Sequence, residues 1–363
     1  MPLLTPASDP SRRRNALQAL PVPPSTEAME AKLVDSLPQE SGWQFEPKWD
    51  GFRCLAFRAG DEVELIAKSG KALTRYFPEM VQALKSLPAR RFVLDGELVI
   101  ATGEDLSFEA LQLRLHPAES RILRLAAEQP AMLILFDCLM APDGDRLVEQ
   151  PLSLRRAALE LFYREFAPQP SLRLSPATNR LEKAETWLER IGPSMDGVVA
   201  KRLDGAYLPG ARAMLKVKRT RTADCVVGGF RYRSGSREVG SLLLGLYDGT
   251  GRLNHVGFTT TIGDGERAAL TRRLEALVEA PGFTGQAPGG PSRWSTERSA
   301  EWSPLRPELV VEVRYDHISG GRFRHGTKLL RWRPDKAPRQ CDMTQLHSDA
   351  RPGELMRNLI EAG

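Results

Sequence analysis

The chain has 363 residues, 41% of them hydrophobic, and 51 Lys and Arg against 46 Asp and Glu give a net charge of +5; this is length enough for two domains with their own cores. No apolar run reaches the roughly 18 residues that a membrane span needs, and the N-terminus has no continuous apolar signal region, which excludes a helical membrane protein and sets the expectation of a cytoplasmic one. Cys54, Cys138, Cys225 and Cys341 are widely separated and form no Cys-x-x-Cys pair, so they read as reduced, mostly buried thiols and not as a zinc site.

In chain order, residues 1–20 are rich in Pro, Ser and Arg and read as a flexible tail. Residues 23–37 read as one short helix with Met29, Leu33 and Val34 on one face. From Trp43 the pattern turns to short strands. Residues 54–57 and 63–66 flank Gly60-Asp61 as a hairpin, which Lys68-Ser69-Gly70-Lys71 closes. Residues 78–87 read as a helix with Met80, Val81 and Leu84 on its apolar face. Residues 91–100 read as a buried strand interrupted by a turn that presents Asp95 and Glu97; carboxylates in so apolar a run need a reason, because burying one unpaired is costly. Helices are expected over 107–115, 120–129, 152–166 and 181–191, and strands over 131–139 and 196–202. In Leu215-Lys216-Val217-Lys218 the alternation puts both lysines on one face.

After Thr220 the character changes to short strands between glycine turns, such as 225–229, 241–247 and 309–315, with one helix over 264–279 and a Gly- and Pro-rich loop over 282–291. A small all-β domain with one helix fits an OB-type barrel, and on pattern alone other small barrels fit equally well. Residues 341–363 read as a tail with one helix. The charge is uneven: residues 221–340 carry 19 Lys and Arg against 13 Asp and Glu, while residues 1–220 carry 30 against 29. The positive excess suits a surface lying on a phosphate backbone, although an arginine-rich composition alone gives the same count. His116, His255, His317, His325 and His347 show no metal-ligand spacing and read as structural or surface residues.

Six segments place chemistry within this frame: Lys48-Trp49-Asp50-Gly51-Phe52-Arg53, Asp95-Gly96-Glu97, Leu135-Phe136-Asp137, Asp196-Gly197-Val198-Val199-Ala200-Lys201, Leu215-Lys216-Val217-Lys218 and Arg331-Trp332-Arg333-Pro334-Asp335-Lys336. A lysine amine is a nucleophile only without its proton, which desolvation or neighbouring cations promote. Carboxylates nearby are hard ligands for a divalent metal. In this order the segments resemble motifs I, III, IIIa, IV, V and VI of the nucleotidyltransferases that include ATP-dependent DNA ligases and mRNA capping enzymes. Segments 107–112 and 324–328 are further similar to the short bacterial two-domain (C-type) DNA ligases, relatives of the ligase module of ligase D.

The resemblance implies an α+β chain: an adenylation (nucleotidyltransferase) domain of antiparallel sheets and helices over 21–220, then an OB-fold domain over 221–340 and a tail over 341–363. It implies Lys48 as the nucleophile that attacks the α-phosphate of ATP, Glu46 as the acid that reads adenine, Arg53 as the ribose contact and Phe136 as the stacking ring. It implies Mg²⁺ held by Glu97 and Asp196 with help from Asp50, and leaves Mn²⁺ open. Arg212, Lys216 and Lys218 would neutralise phosphates. Arg333 and Lys336 would orient the leaving pyrophosphate, with 219–222 as the hinge between domains.

Two departures stand out. Asp196 is one methylene shorter than the glutamate common in the family, and Lys68 stands where many relatives carry arginine, keeping the charge but losing the planar fork. Plainer readings stand beside these: Phe136 as core, the alternating lysines as a solvated face, Arg53 in a surface salt bridge. The implied partner is nicked duplex DNA, sealed by a monomer that works with repair proteins at the nucleoid. An RNA ligase or capping-type enzyme, or a non-catalytic nucleic-acid-binding OB protein, are the alternatives.

Overall fold

The computed structural model describes residues 16–103, 105–167, 169–189, 195–218, 221–289, 301–316, 318–324 and 326–346. The chain divides into two compact units at Lys218.

The strands of the first unit are β1 (Ala31–Leu33), β2 (Trp43–Trp49), β3 (Phe52–Ala59), β4 (Glu62–Ala67), β5 (Arg91–Val99), β6 (Ala101–Thr102), β7 (Asp105–Leu106), β8 (Met132–Met140), β9 (Leu172–Leu174), β10 (Met195–Arg202) and β11 (Met214–Lys218). Its helices are α1 (Pro78–Ser86), α2 (Phe108–Arg114), α3 (Glu119–Glu128), α4 (Leu152–Phe166) and α5 (Leu181–Glu189). Two sheets dominate, one in the order β1-β11-β10-β2 and one in the order β4-β3-β5-β8-β9. Neighbours are antiparallel except β1 with β11 and β8 with β9.

Strand alternation assigns each sheet a core face and a cleft face. On β2, Phe45 and Trp49 enter an apolar cluster with Val198 and Ala200 of β10 and Val217 of β11. Glu46 and Lys48, then Lys216 and Lys218, are left for the other face. On the second sheet, Cys54 and Ala56 of β3 and Leu94 and Leu98 of β5 pack with Phe77, Met80 and Leu84 from and beside α1. Arg53, Asp95 and Glu97 take the opposite face.

Three expectations are corrected here. Residues 23–37 form no helix; β1 pairs in parallel with β11, and Leu33 is 57% exposed instead of sharing a buried face with Met29. The backbone pairing to β11 outweighs the i, i+4 apolar spacing. Residues 91–99 form one continuous strand with no turn at Asp95-Gly96. Gly96 marks a register shift against β8, and a side chain there would press on the Ile134 carbonyl and Leu133. The expected tail over 1–20 is packed at its end, where Leu17 and Leu20 are buried with Val22 and Met29; residues 1–15 lie outside the described residues.

The second unit contains β12 (Arg221–Tyr232), β13 (Val239–Tyr247), β14 (Leu253–Thr259), α6 (Arg267–Glu275), β15 (Ser303–Pro304), β16 (Val310–Tyr315), β17 (Ile318–Ser319), β18 (Arg322–Phe323) and β19 (Lys328–Trp332). Its main sheet runs β14-β13-β12-β16-β19, and a bridge from Thr259 to Thr327, just ahead of β19, links the two ends. This closes the sheet around Val226, Phe230, Leu242, Leu244 and Val311. The helix expected over 264–279 is a 3-10 turn followed by the shorter α6. Residues 341–346, expected in the tail, pack onto this unit: Cys341 is fully buried, and Met343 and Leu346 lie against the same core. The remainder of the tail and two of the four hinge positions, 219 and 220, lie outside the described residues.

Candidate active site

The two cleft faces of the first unit bound a cavity of about 870 Å³, lined by Glu46, Lys48, Arg53, Lys68, Glu97, Phe136 and Lys216 among the sequence-predicted residues, and also by Met29, Glu30 and Lys201. Register explains the gathering. Gly197 faces Lys48 on one side and Lys218 on the other, and Val199 likewise faces Glu46 and Lys216. Two rows of functional side chains thus cross the sheet two residues apart.

Lys48 Nζ lies 2.6 Å from Asp196 Oδ2, and Lys218 Nζ lies 3.2 Å from the same oxygen. Asp196 reaches them through a bulge: the register shifts between Met195 and Gly197, which interrupts the alternation of β10. Gly197 has a φ of +153°, and a Cβ there would collide with the Val217 carbonyl oxygen, so only glycine fits. Lys216 has no ion-pair partner among the described residues. Its proton affinity is lowered first by burial and then by the charges of Lys48, Lys218 and Lys68.

Across the cleft, Arg53 of β3 makes a bidentate pair with Asp95 at 2.5 and 2.6 Å. Asp95 also accepts from the Tyr207 hydroxyl at 2.7 Å, and that hydroxyl accepts from the Met29 N–H at 2.9 Å. Burial weakens the hold of Arg53 on its proton, but the charge of Asp95 overrides it and raises the affinity. The Arg53 guanidinium stands 4.5 Å from the centre of the Phe136 ring. Phe136 is therefore both a β8 core residue at 7% exposure and a wall of the cleft.

Glu97 accepts from the Gly51 N–H at 3.2 Å. Burial, opposed by Lys48 and Arg53 and reinforced by Asp50 and Asp95, raises its carboxyl from 4.5 to about 7. Asp50 is half-buried beside it. The three acids expected at the metal are not assembled as a cage: among the described residues no group of three or more acids, histidines or cysteines is placed to hold a metal ion. Asp196 is turned to the lysines, while Asp50 and Glu97 stand together.

Glu30, which no motif marks, lies 3.0 Å from Lys68 and 3.6 Å from Arg212. Arg212 is mostly exposed and does not line the cleft. Arg333 and Lys336 are in the second unit, where both are bound to Asp224: Arg333 Nη1 at 2.9 and 3.0 Å and Lys336 Nζ at 2.7 Å. Arg333 also bonds Asp335 at 2.8 Å.

Among the residues the sequence left unassigned, Lys201 is the most telling. It sits two residues beyond Val199 on the cleft face of β10 and pairs with Glu46 Oε2 at 2.8 Å. The alternation of β10 carried the signal for its facing, but only the register with β2 identifies its partner. Tyr207, Glu30 and Asp224 reach their partners across long stretches of sequence and left no local signature.

Residues 25–218 match the family described as ATP dependent DNA ligase domain, and residues 235–336 match ATP dependent DNA ligase C terminal region. The chain is 46% identical to DNA ligase C2 of Mycolicibacterium smegmatis over 91% of its length and 96% of that protein. It is 44% identical to DNA ligase C of Mycobacterium tuberculosis over 90% and 95% of the two chains. A solved structure described as a minimal-scaffold Lig E DNA ligase superposes with a TM-score of 0.52 at 16% identity, over 85% of this chain and 99% of that one, and speaks to the fold alone.

Proposed function

Because this chain belongs to the ATP-dependent DNA ligase family, we propose that it seals nicks in duplex DNA through a lysyl-AMP and an adenylated DNA end, and that it does so in DNA repair. The observation that carries this reading is the setting of Lys48: a half-buried amine on the cleft wall, 2.6 Å from a carboxylate that it shares with Lys218, and near enough to Lys216 to lower the proton affinity of that lysine. Such an arrangement serves a nucleophile that must shed a proton and then meet a polyphosphate.

In the first step the Lys48 amine attacks the α-phosphorus of ATP. An N–P bond forms, the bond to the β-phosphate breaks and pyrophosphate leaves. Asp196, in contact with the amine, is placed to take its proton. Glu46 accepts the exocyclic amine of adenine, Phe136 stacks on the base, and Arg53, braced by Asp95, contacts the ribose. Lys216 and Lys218 neutralise the phosphates, with Lys68 and Arg212 at the edge beside Glu30. In the second step the 5′-phosphate of the nick displaces Lys48 from the adenylate. In the third the neighbouring 3′-hydroxyl attacks that phosphate and AMP departs.

The acids suit Mg²⁺, which binds through one or two carboxylates together with substrate phosphates and retains waters. Glu97 and Asp50, close enough to repel each other, fit that role as a pair, and the ion would supply neutralisation of the phosphate charge. Asp196, held by two lysines, fits a water-bridged position better than a direct one.

The test is to strip the purified chain of bound nucleotide with pyrophosphate, then incubate it with Mg²⁺ and α-labelled ATP beside a Lys48→Ala variant. Acid-denatured protein should retain label in the wild type alone, and the labelled protein should seal nicked duplex DNA. An unlabelled wild type would remove the reading.

A further inference from the structure

The cleft contains a buried cation, Lys201, for which the reaction above has no use. Glu46 is 2% exposed and Lys201 4%. Lys201 Nζ lies 2.8 Å from Glu46 Oε2, and Glu46 Oε1 accepts from Gln44 Nε2 at 2.7 Å. The Lys201 ammonium also stands 4.7 Å from the centre of the Phe136 ring and donates to the Phe136 carbonyl oxygen at 3.4 Å. One buried cation thus touches both the acid and the ring to which base recognition is assigned.

The geometry points to Lys201 as a specificity-determining positioning residue, which acts through Glu46 to fix the choice of adenine over guanine. This rests on the reading of Glu46 as the acid that meets the base. An ionised carboxylate is an acceptor only. It takes a hydrogen bond from the exocyclic amine of adenine, whereas guanine presents a carbonyl oxygen at the same ring position, acceptor against acceptor. Sites that leave a buried polar group unpaired in this way discriminate strongly.

The discrimination lasts only while Glu46 remains a carboxylate. A buried acid with no counter-charge takes up a proton in preference to staying ionised, and a carboxylic acid has an O–H to donate, which suits guanine. Lys201 supplies the counter-charge. Gln44 supplies alignment, because its amide fixes one carboxylate oxygen while leaving that oxygen a second lone pair. Each oxygen of Glu46 is thereby held without being exhausted, and the base meets an acceptor of fixed direction.

The experiment compares initial rates of labelling from α-labelled ATP and α-labelled GTP, with Mg²⁺, in the full-length wild type, Lys201→Met, Lys201→Arg and Gln44→Leu. The wild type should favour ATP. In Lys201→Met the ATP-to-GTP ratio should fall at least tenfold, by loss with ATP together with gain with GTP. Lys201→Arg should retain most of the wild-type ratio, and Gln44→Leu should show a smaller fall. If Lys201→Met fails to fold, Lys201→Gln is read in the same way. A methionine variant slowed equally with both nucleotides, its ratio unchanged, would overturn the proposal and leave Lys201 a packing residue. A wild type that labels equally well with both nucleotides removes the Glu46 reading and the proposal with it. A wild type that takes no label from ATP removes the lysyl-adenylate itself, an outcome distinct from the other two.

Discussion

Lys48 and Asp196 meet at 2.6 Å although 147 positions separate them in the chain, and the contact depends on a bulge that turns one acid of β10 toward β2. Asp196 is almost fully buried and shared with Lys218, so it both fixes the direction of the Lys48 amine and offsets the charge gathered around it. Asp196→Asn keeps the shape and removes the charge. Lysyl-AMP formation should fall about 10²-fold, the cost expected when a reacting group loses its alignment. Quenched-flow labelling under single-turnover conditions measures it directly, and an unchanged rate would show that Lys48 is oriented without Asp196.

Glu97 gives the site a pH signature. Its carboxyl is raised from 4.5 to about 7, chiefly by burial. Between those values the unfolded chain has released the proton that the folded chain still holds, so the unfolded state binds fewer protons and stability falls as pH rises. Below about 4.5 both states are protonated and the effect vanishes; above about 7 it is fully present. With divalent metal chelated, Glu97→Gln should therefore raise Tm relative to wild type more at about pH 8 than at about pH 5. Equal differences at the two pH values would mean that the carboxyl ionises in its ordinary range.

The same acid shows what the sequence could and could not reveal. Asp95-Gly96-Glu97 was legible as a place where carboxylates in an apolar run needed a purpose, and the two acids do share one face of β5. The turn expected there was wrong, because Asp-Gly is a turn signal only when no neighbouring strand claims the backbone; here β3 and β8 pair with it on both sides. The hairpin at Gly60-Asp61 was legible for the converse reason, since its pairing is local and Gly60 adopts a φ of +64°. Alternation on β11 correctly put Lys216 and Lys218 on one face, opposite the core position Val217. Partner choice was not legible. Lys201 with Glu46, Tyr207 with Asp95, and Asp224 with Arg333 each depend on register between distant segments, and no local pattern records that.

Asp95 joins the site to the fold. It is fully buried and holds Arg53 with two hydrogen bonds and Tyr207 with a third. Removing one member of a buried, bonded ion pair leaves the other uncompensated, so Asp95→Ala should cost about 3–5 kcal/mol of stability. Tyr207→Phe removes one neutral donor to a charged acceptor and should cost about 1.5–3 kcal/mol. Urea unfolding monitored by tryptophan fluorescence separates the two. Near-equal losses would place the stabilisation in the hydrogen bonds of the Tyr207 hydroxyl instead of in the Arg53 pair.

Arg333 tests the role of the second unit. Asp224 is a buried acid of β12 that holds both Arg333 and Lys336, so the two cations are presented as a fixed pair and not as loose surface charges. Such a pair is pre-oriented for a polyanion, and on the reading given above that anion is the pyrophosphate leaving ATP. Arg333→Ala should then lower lysyl-AMP formation about 10²–10³-fold, the range for losing one preorganised donor to developing charge. Sealing of a nick that already carries the 5′-adenylate requires no pyrophosphate departure, and the variant should retain it. Two assays on the same preparation decide the matter: labelling from ATP, and closure of a pre-adenylated nick. A variant that takes label normally but fails to close the nick would move Arg333 from the nucleotide step to the DNA.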